Sequence, residues 1–472
     1  MKRIKIFIVS MASASAAFAL DINDIKPGEL QGLIEEESLT GSSLVVSGAI
    51  DARDLAAMEH LPSTLTTLDL SKANISPLTV STRKYFGKTL FAEGELPGYT
   101  FFKSGLSTLV LPTNIKTIGE GAFSASSLQS IEIPEGVESI GDYAFYGCPD
   151  LKSVKLPSTL KTIGKGAFGN CHNLQSVTFS ASSQISELPE RTFAGCVQLA
   201  SISLPSTIIK IGKEAFTHTM ISELNLNNVQ EFEAFALSGM PYLEQLQINP
   251  EAADNAYGLL MDDISLVSLS GVPQNLPDYF TANCTALPTN IVMSDAGTIG
   301  KYALANQNGS EWVLLGENLK SLQRGAISGT HLRSIDAIAL ENNIPDVDET
   351  TFEGIDQPSV VLVVTDTSYE DWIAHPIWSL FDVQKSSETA VGNNISEGVT
   401  NIQISLGGGF LTIVSGSQLT DVKIFSTDGK LLYSATPGTS ELQVPLTDIT
   451  SGVAIVKATN ANKETKTITL ML

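Results

Sequence analysis

Histidines, cations and long apolar runs are all scarce in this chain. The five histidines (His60, His172, His218, His331 and His375) are scattered without metal-site spacing, and no H-E-x-x-H, G-x-S-x-G or P-loop motif occurs. No catalytic constellation is visible, so the expectation is a non-enzymatic protein with no cofactor and no metal. Paired acids such as Asp262-Asp263 and Glu35-Glu36-Glu37 are sequence neighbours. On a strand they point to opposite faces, which suits solvated surface better than acid/base chemistry. Lys and Arg number 28 against 51 Asp and Glu, a net charge of −23 that repels nucleic acid and anionic membranes. Beyond the first twenty residues no apolar run approaches the ~18 residues a membrane helix requires. Disorder is not the default either, because 43% of residues are hydrophobic and only 17% charged, with 37 Gly and 20 Pro for turns.

Residues 1–19 read as a secretory signal. Lys2, Arg3 and Lys5 form the basic start, an apolar stretch follows, and Ala17-Phe18-Ala19 is an A-x-A cleavage site. Cleavage would remove three cations and make the chain more acidic still. No Cys follows the site, so no lipid anchor is expected there, and the product should be exported and water-soluble.

What the chain has in abundance is one phrase, L-x-x-I-x-L-P-x-x-[LVI]-x-x-I-G-x-x-A-F. Copies begin at Leu106, Leu128, Leu151, Leu174 and Leu199 and close on Phe123, Phe145, Phe168, Phe193 and Phe216, the closing positions in steps of 22, 23, 25 and 23 residues. A period of this size signals a solenoid, in which no unit buries its apolar face alone. Weaker copies extend the series, with closing pairs at Thr100-Phe101, Ala234-Phe235, Ala256-Tyr257, Tyr279-Phe280, Ala303-Leu304, Ala326-Ile327 and Thr351-Phe352. About twelve units of ~23 residues result. Within a unit, alternation makes a short strand and Pro ends its ladder. I-G then turns the chain, and A-F tucks a small residue and a ring beneath the stack. Residues 20–98, with Leu30–Ile34, Ser43–Gly48 and a first L-x-x-L-x-L at Leu65–Leu70, are placed to cap the open end.

Residues Leu151–Cys171, LKSVKLPSTLKTIGKGAFGNC, resemble the BspA-like leucine-rich repeat of bacterial surface proteins. The resemblance covers Leu65 to Phe381, where Val361–Val364, Tyr369, Trp372, Trp378 and Phe381 resemble the usual closing cap. It implies a mainly β leucine-rich-repeat solenoid over residues 99–384 and a role as an adhesin or surface binder. Lys385–Ser396 reads as linker, taken here as residues 385–399. From residue 400 the period changes to two. Seven candidate strands (Asn401–Leu406, Phe410–Val414, Asp421–Phe425, Lys430–Tyr433, Glu441–Leu446, Val453–Thr459 and Thr465–Leu470), with a hairpin turn at Asp428-Gly429, suggest a small β-sandwich over residues 400–472. Through Val422–Phe425, Asp428–Lys430, Gly452–Val456 and Lys466–Leu472 this segment resembles the C-terminal sorting domain of type IX secretion.

Two motifs dissolve into the repeat. Gly164-Lys-Gly166-Ala-Phe-Gly169 matches G-x-G-x-x-G but lacks the βαβ context of a dinucleotide site. Cys148, Cys171, Cys196 and Cys284 fall three or four residues after the repeat aromatic. They form one column, read as buried packing thiols with neighbouring-rung disulfides as the alternative.

The candidate binding residues are those flanking the centre of each strand: Thr108 and Val110; Ser130 and Glu132; Ser153 and Lys155; Ser176 and Thr178; Ser201 and Ser203; Glu223 and Asn225; Gln245 and Gln247. They make a mostly uncharged, hydrogen-bonding stripe on a concave sheet, suited to a protein or glycan on a host or neighbouring cell. The stripe's lack of Trp and Tyr argues against sugar stacking there. The expectation is therefore a secreted or cell-surface repeat protein of adhesin type. A structural scaffold or spacer without a ligand is the alternative.

Overall fold

A three-residue strand needs only an apolar centre and two flanks that tolerate water. The computed structural model describes residues 7–9, 19–36, 41–80, 85–287, 296–307, 312–341, 343–387, 402–407, 410–415, 417–426, 431–445, 453–462 and 465–471. Such strands stand at Thr108–Val110, Ser130–Glu132, Ser153–Lys155 and Ser176–Thr178, each with its middle residue buried. The last three pair in parallel, Ile131 beside Val154 beside Val177. The pattern resumes at Glu223–Leu226, Gln245–Ile248 and Ser268–Ser270, with Leu224, Leu246 and Leu269 in register. Most of the expected signal segment lies outside the described residues, as does most of the linker.

Four details depart from the sequence reading. Ser201–Ser203 form no strand, and Ile202 is only half-buried. The break follows the longest unit, in which Ser180–Gln184 replaces the shorter Pro157-Ser158-Thr159 and the strand-ending Pro is missing. Next, the residues before the repeat Gly do more than turn. Glu95–Leu96, Thr117–Ile118, Ser139–Ile140 and Thr162–Ile163 form a second parallel ladder, resumed at Glu187–Leu188, Lys210–Ile211 and Glu231–Phe232. The Gly that follows lets rungs approach, since a Cβ at Gly119 or Gly164 would collide with the backbone of the rung before.

Third, the closing pairs at Ala234-Phe235 and Ala256-Tyr257 are displaced, and the one at Tyr279-Phe280 shifts by one residue to the buried Phe280-Thr281. Ala236, Leu237, Leu259 and Leu260 are buried in their place, while Phe235 has a left-handed backbone (φ 60°) and Tyr257 is 40% exposed. Counting from the ladder residue Phe232 rather than from an absent I-G restores the phase. Fourth, the cap is itself repetitive. Parallel strands Ala19–Ile25, Ser43–Ile50 and Thr67–Ile75 align Leu20, Leu44 and Leu68 and deliver the last strand onto Thr108–Val110. The helices Leu30–Glu36 and Ala52–Ala57 return the chain between them. Buried Asp54 holds this return together by accepting from the backbone N–H groups of Gly28, Leu30 and Asp51 at 2.7–2.9 Å.

The core of the array is columnar. Six rings from Phe101 to Phe216 stack with centroids 4.8–5.9 Å apart and planes within 15°. Beside them the four thiols are free and buried. Each donates to a carbonyl of an earlier rung, Cys148 to Phe123, Cys171 to Phe145, Cys196 to Phe168 and Cys284 to Leu260, at 2.9–3.1 Å. The column thus satisfies backbone acceptors that would otherwise be buried unpaired.

The described chain divides into two compact units, residues 1–332 with 345–356, and residues 333–344 with 357–472. In the second, Ser334–Asp336, Val361–Val364 and Asp382–Lys385 pair in parallel. Trp372, Trp378 and Phe381 are buried against one another, with ring centroids 5.2 and 5.6 Å apart, as a closing cap requires. Further on, all seven expected strands form, at Ile402–Gly407, Phe410–Ser415, Leu419–Ser426, Leu431–Ala435, Glu441–Pro445, Val453–Asn460 and Thr465–Met471. They make two antiparallel sheets. Leu411, Ile413 and Val444 of one sheet share a core with Leu419, Val422, Ile424, Val456 and Ala458 of the other. The Asp428-Gly429 turn lies outside the described residues.

Candidate recognition surfaces of the solenoid

Burial of each central strand residue forces its neighbours outward, because side chains alternate along a strand. Pairing then aligns them: Ser130, Ser153 and Ser176 form one column, and Glu132, Lys155 and Thr178 the next. Thr108 stands in register with Thr67 of the cap. A separate sheet aligns Glu223 with Gln245 and Asn225 with Gln247. Ser201 and Ser203 are exposed but belong to neither sheet, so the expected stripe is two patches. The pattern continues where it was not expected, at Ser268 and Ser270 beside Gln245 and Gln247. The Leu266-Val-Ser-Leu269 spacing was the available signal for it.

The chemistry of these patches is hydrogen bonding. Lys155 and Glu132, both exposed, form an ion pair at 2.5 Å that raises the lysine pKa. Elsewhere the columns present hydroxyls and amides, with the carboxylate of Glu223 and the exposed apolar side chain of Val110 as the exceptions. Among the described residues no group of three or more His, Cys, Asp or Glu is placed to hold a metal ion. The Asp262-Asp263 pair lies in a turn and not on a strand, Asp262 having a left-handed backbone (φ 69°), and Asp263 is fully buried rather than solvated, its Oδ1 accepting from Met240 N at 2.7 Å. Burial pushes its carboxyl pKa well up.

The opposite edge of each rung is a turn with its own order. From Tyr99 through Tyr143, Arg191, Glu214, Phe235 and Tyr279 to Tyr302, the residue two before each buried closing side chain is left-handed, φ 53–60°. Glycines fill the remaining places, and the rings of Tyr99, Tyr143, Phe235 and Tyr302 lie over Gly121, Gly166, Gly258 and Gly325. This explains the G-x-G-x-x-G coincidence: Gly166 is the residue beneath the Tyr143 ring. These rings thus lie on the turns, apart from the strand columns of Ser130–Thr178 and Glu223–Ser270.

The family model described as BspA type leucine rich repeat region (6 copies) matches residues 94–187, 180–258 and 274–362. Among solved structures, a leucine-rich repeat protein from Bacteroides ovatus is 17% identical with a TM-score of 0.51, the alignment covering 80% of this chain and 98% of that one. That similarity supports the fold. A leucine rich cell surface protein from Faecalibacterium prausnitzii is 17% identical, the alignment covering 63% of this chain and 88% of that one, with a TM-score of 0.31. The pneumococcal vaccine antigen PcpA is 16% identical over 75% of this chain and 80% of that one, TM-score 0.36. No curated protein matches. Among the described residues no helix is long and apolar enough to cross a membrane.

Proposed function

The chain belongs to the BspA-type leucine-rich repeat family, and from that premise we propose that it is an exported surface protein that binds proteins of host or neighbouring cells. The binding surface is the pair of strand-face patches, with Thr108, Ser130, Glu132, Ser153, Lys155, Ser176, Thr178, Glu223, Asn225, Gln245 and Gln247 as its residues. The observation that supports this reading is the outward alignment of hydroxyl and amide side chains rung by rung over a rigid parallel ladder. Many polar contacts on a preordered surface give specificity at little ordering cost. Residues 1–19 serve as the export signal. Residues 400–472, joined through 385–399, serve as the sorting domain of type IX secretion.

The test is capture of host-surface proteins by the chain from residue 20 onward, beside a Ser153→Lys, Ser176→Lys, Gln245→Lys variant. Capture by the parent alone supports the strand face. Equal capture moves recognition elsewhere, and capture by neither favours a spacer role.

A further inference from the structure

Each run of the second ladder opens on a leucine followed by proline. Glu95-Leu96-Pro97, Glu187-Leu188-Pro189 and Asn275-Leu276-Pro277 begin the three parallel runs, which end at Thr162–Ile163, Glu231–Phe232 and Ser321–Leu322 among the described residues. Inside a run the place of the proline is most often held by Gly, whose N–H donates to the ladder carbonyl of the rung before. Gly119 donates to Leu96, Gly141 to Ile118, Gly212 to Leu188 and Gly300 to Leu276, at 2.7–2.9 Å. Proline has no N–H to donate. It also carries a Cβ, and one at Gly119 or Gly212 would strike the backbone of the rung before.

Pro97 stands at the start of the array, and Pro277 follows a rung in which the helix Pro250–Ala253 replaces the ladder. Pro189 alone interrupts two clear repeats, and Thr162–Ile163 and Glu187–Leu188 accordingly belong to different sheets. The next steps lose the other ladder. Val177 pairs back to Val154, but no backbone hydrogen bond joins Ser201, Ile202 or Ser203 to either neighbouring coil among the described residues. The strand face resumes only at Glu223–Leu226. The first ladder also pauses between Val110 and Ser130, but there the second ladder is unbroken and Phe123 and Phe145 stand 4.8 Å apart. On either side of Phe193 the ring steps widen to 5.7 and 5.9 Å, the largest of the stack.

What continues without a break is the turn. Gly166, Phe168 and Asn170 donate to Glu190, Thr192 and Ala194, and Arg191, Phe193 and Gly195 donate to Lys213, Ala215 and Thr217, at 2.7–3.0 Å. Side chains tie the first of these steps only loosely. Lys165 reaches Glu190, and Gln184 Nε2 reaches the Ser158 carbonyl, each at 3.5 Å.

We propose that residues 174–211 form a hinge in the array, with the turns as its spine and the two ladders as sides that open in succession. Stability in a repeat array is a sum of contacts between neighbours, so a step that keeps one ladder resists bending less than a step that keeps both. Its cause is local: Pro189 withholds a donor, and the long loop at residues 180–184 takes Ser201–Ser203 out of register. Bending at this coil moves the strand patch around Ser153 relative to the patch around Gln245, so a partner that touches both selects one angle. The hinge is a property of the chain alone and stands whether or not the strand face binds a partner.

The experiment is a distance measurement between nitroxide labels by double electron–electron resonance on the full chain. The four native thiols are buried, so labels attach at introduced cysteines. Ser130→Cys with Ser268→Cys spans the hinge, six steps or roughly 30 Å at one strand spacing per step. Ser43→Cys with Ser176→Cys is the control, on aligned strands that stop short of it. A repaired chain carries Pro189→Gly and lacks Ala181 and Ser182, which restores the donor and the shorter step. The expected result is a wider distance distribution for the spanning pair than for the control, and a narrowing of the spanning pair in the repaired chain. Equal widths for the two pairs in the parent overturn the proposal, and they decide it even if the repaired chain does not fold. A folded repaired chain as broad as the parent overturns it as well, because the motion then arises outside this coil.

Discussion

The rings of Phe123 and Phe145 stand 4.8 Å apart and 12° from parallel, the tightest step in a stack that runs unbroken from Phe101 to Phe216. Each ring is the floor of one rung and the ceiling of the next, so removal is felt by two units. Phe145→Ala should cost about 3–5 kcal/mol, and Phe145→Leu clearly less. Because a repeat array need not unfold in one step, hydrogen exchange of the flanking rungs is the better measurement. Protection should fall at Phe123 and Phe168 together, and loss confined to one rung would contradict the shared floor.

The thiol column predicts silence toward thiol reagents. In the native protein none of the four cysteines should react, and in denaturant all four should titrate. Fewer than four would reveal a disulfide between rungs.

Burial pushes the Cys196 thiol up to about 12. The unfolded chain ionises this thiol near the ordinary ~8.5, so above that pH it holds fewer protons than the native state and stability falls. The native state keeps its advantage below the unfolded value and loses it as pH rises toward the folded one. By pH 10 the loss from Cys196 should be about 2 kcal/mol. Urea melts at neutral pH and at pH 10, repeated on Cys196→Ser, should show a smaller alkaline loss in the variant.

Asp54 accepts three backbone N–H groups in a buried site. Asp54→Ala leaves them unpaired and should cost about 3 kcal/mol or more. The cap should suffer first, so faster exchange of the Gly28 and Leu30 amides, with the central rungs unchanged, is the expected signature.

Gly164→Ala inserts a methyl group into the backbone of the preceding rung. A cost on the order of 1–3 kcal/mol is expected, since neither rung can move without opening both ladders. A thermal melt identical to the parent's would show that the rungs have more slack than this packing implies.

Sorting by the last segment is tested by deletion of residues 400–472 in a bacterium that possesses type IX secretion. The truncated chain should accumulate behind the outer membrane. Normal surface delivery would reduce the segment to an accessory sandwich.

The repeat's architecture was legible in the sequence because its determinants are local: Leu106-x-x-Leu109 makes its own short strand, Pro112 ends it, and Phe123 closes the unit. The C-terminal strands were legible for the same reason, each written in alternation. Phase was harder where the I-G marker is missing, and Phe235 drew the closing pair two residues away from the buried Ala236-Leu237. The strand columns of the candidate site followed from alternation, except at Ser201 and Ser203, where pairing depends on the length of the preceding loop.

By itself, then, the sequence determined the period, the strand faces and the apolar columns, since all three follow from side chains spaced along one chain. Only the tertiary structure decided which residues meet across rungs. The second ladder, the thiols donating to carbonyls some 25 residues earlier, and the row of rings on the turns each depend on a left-handed or closely approached backbone that stacking imposes. A tyrosine placed two residues after a glycine carries no mark of the rung above it.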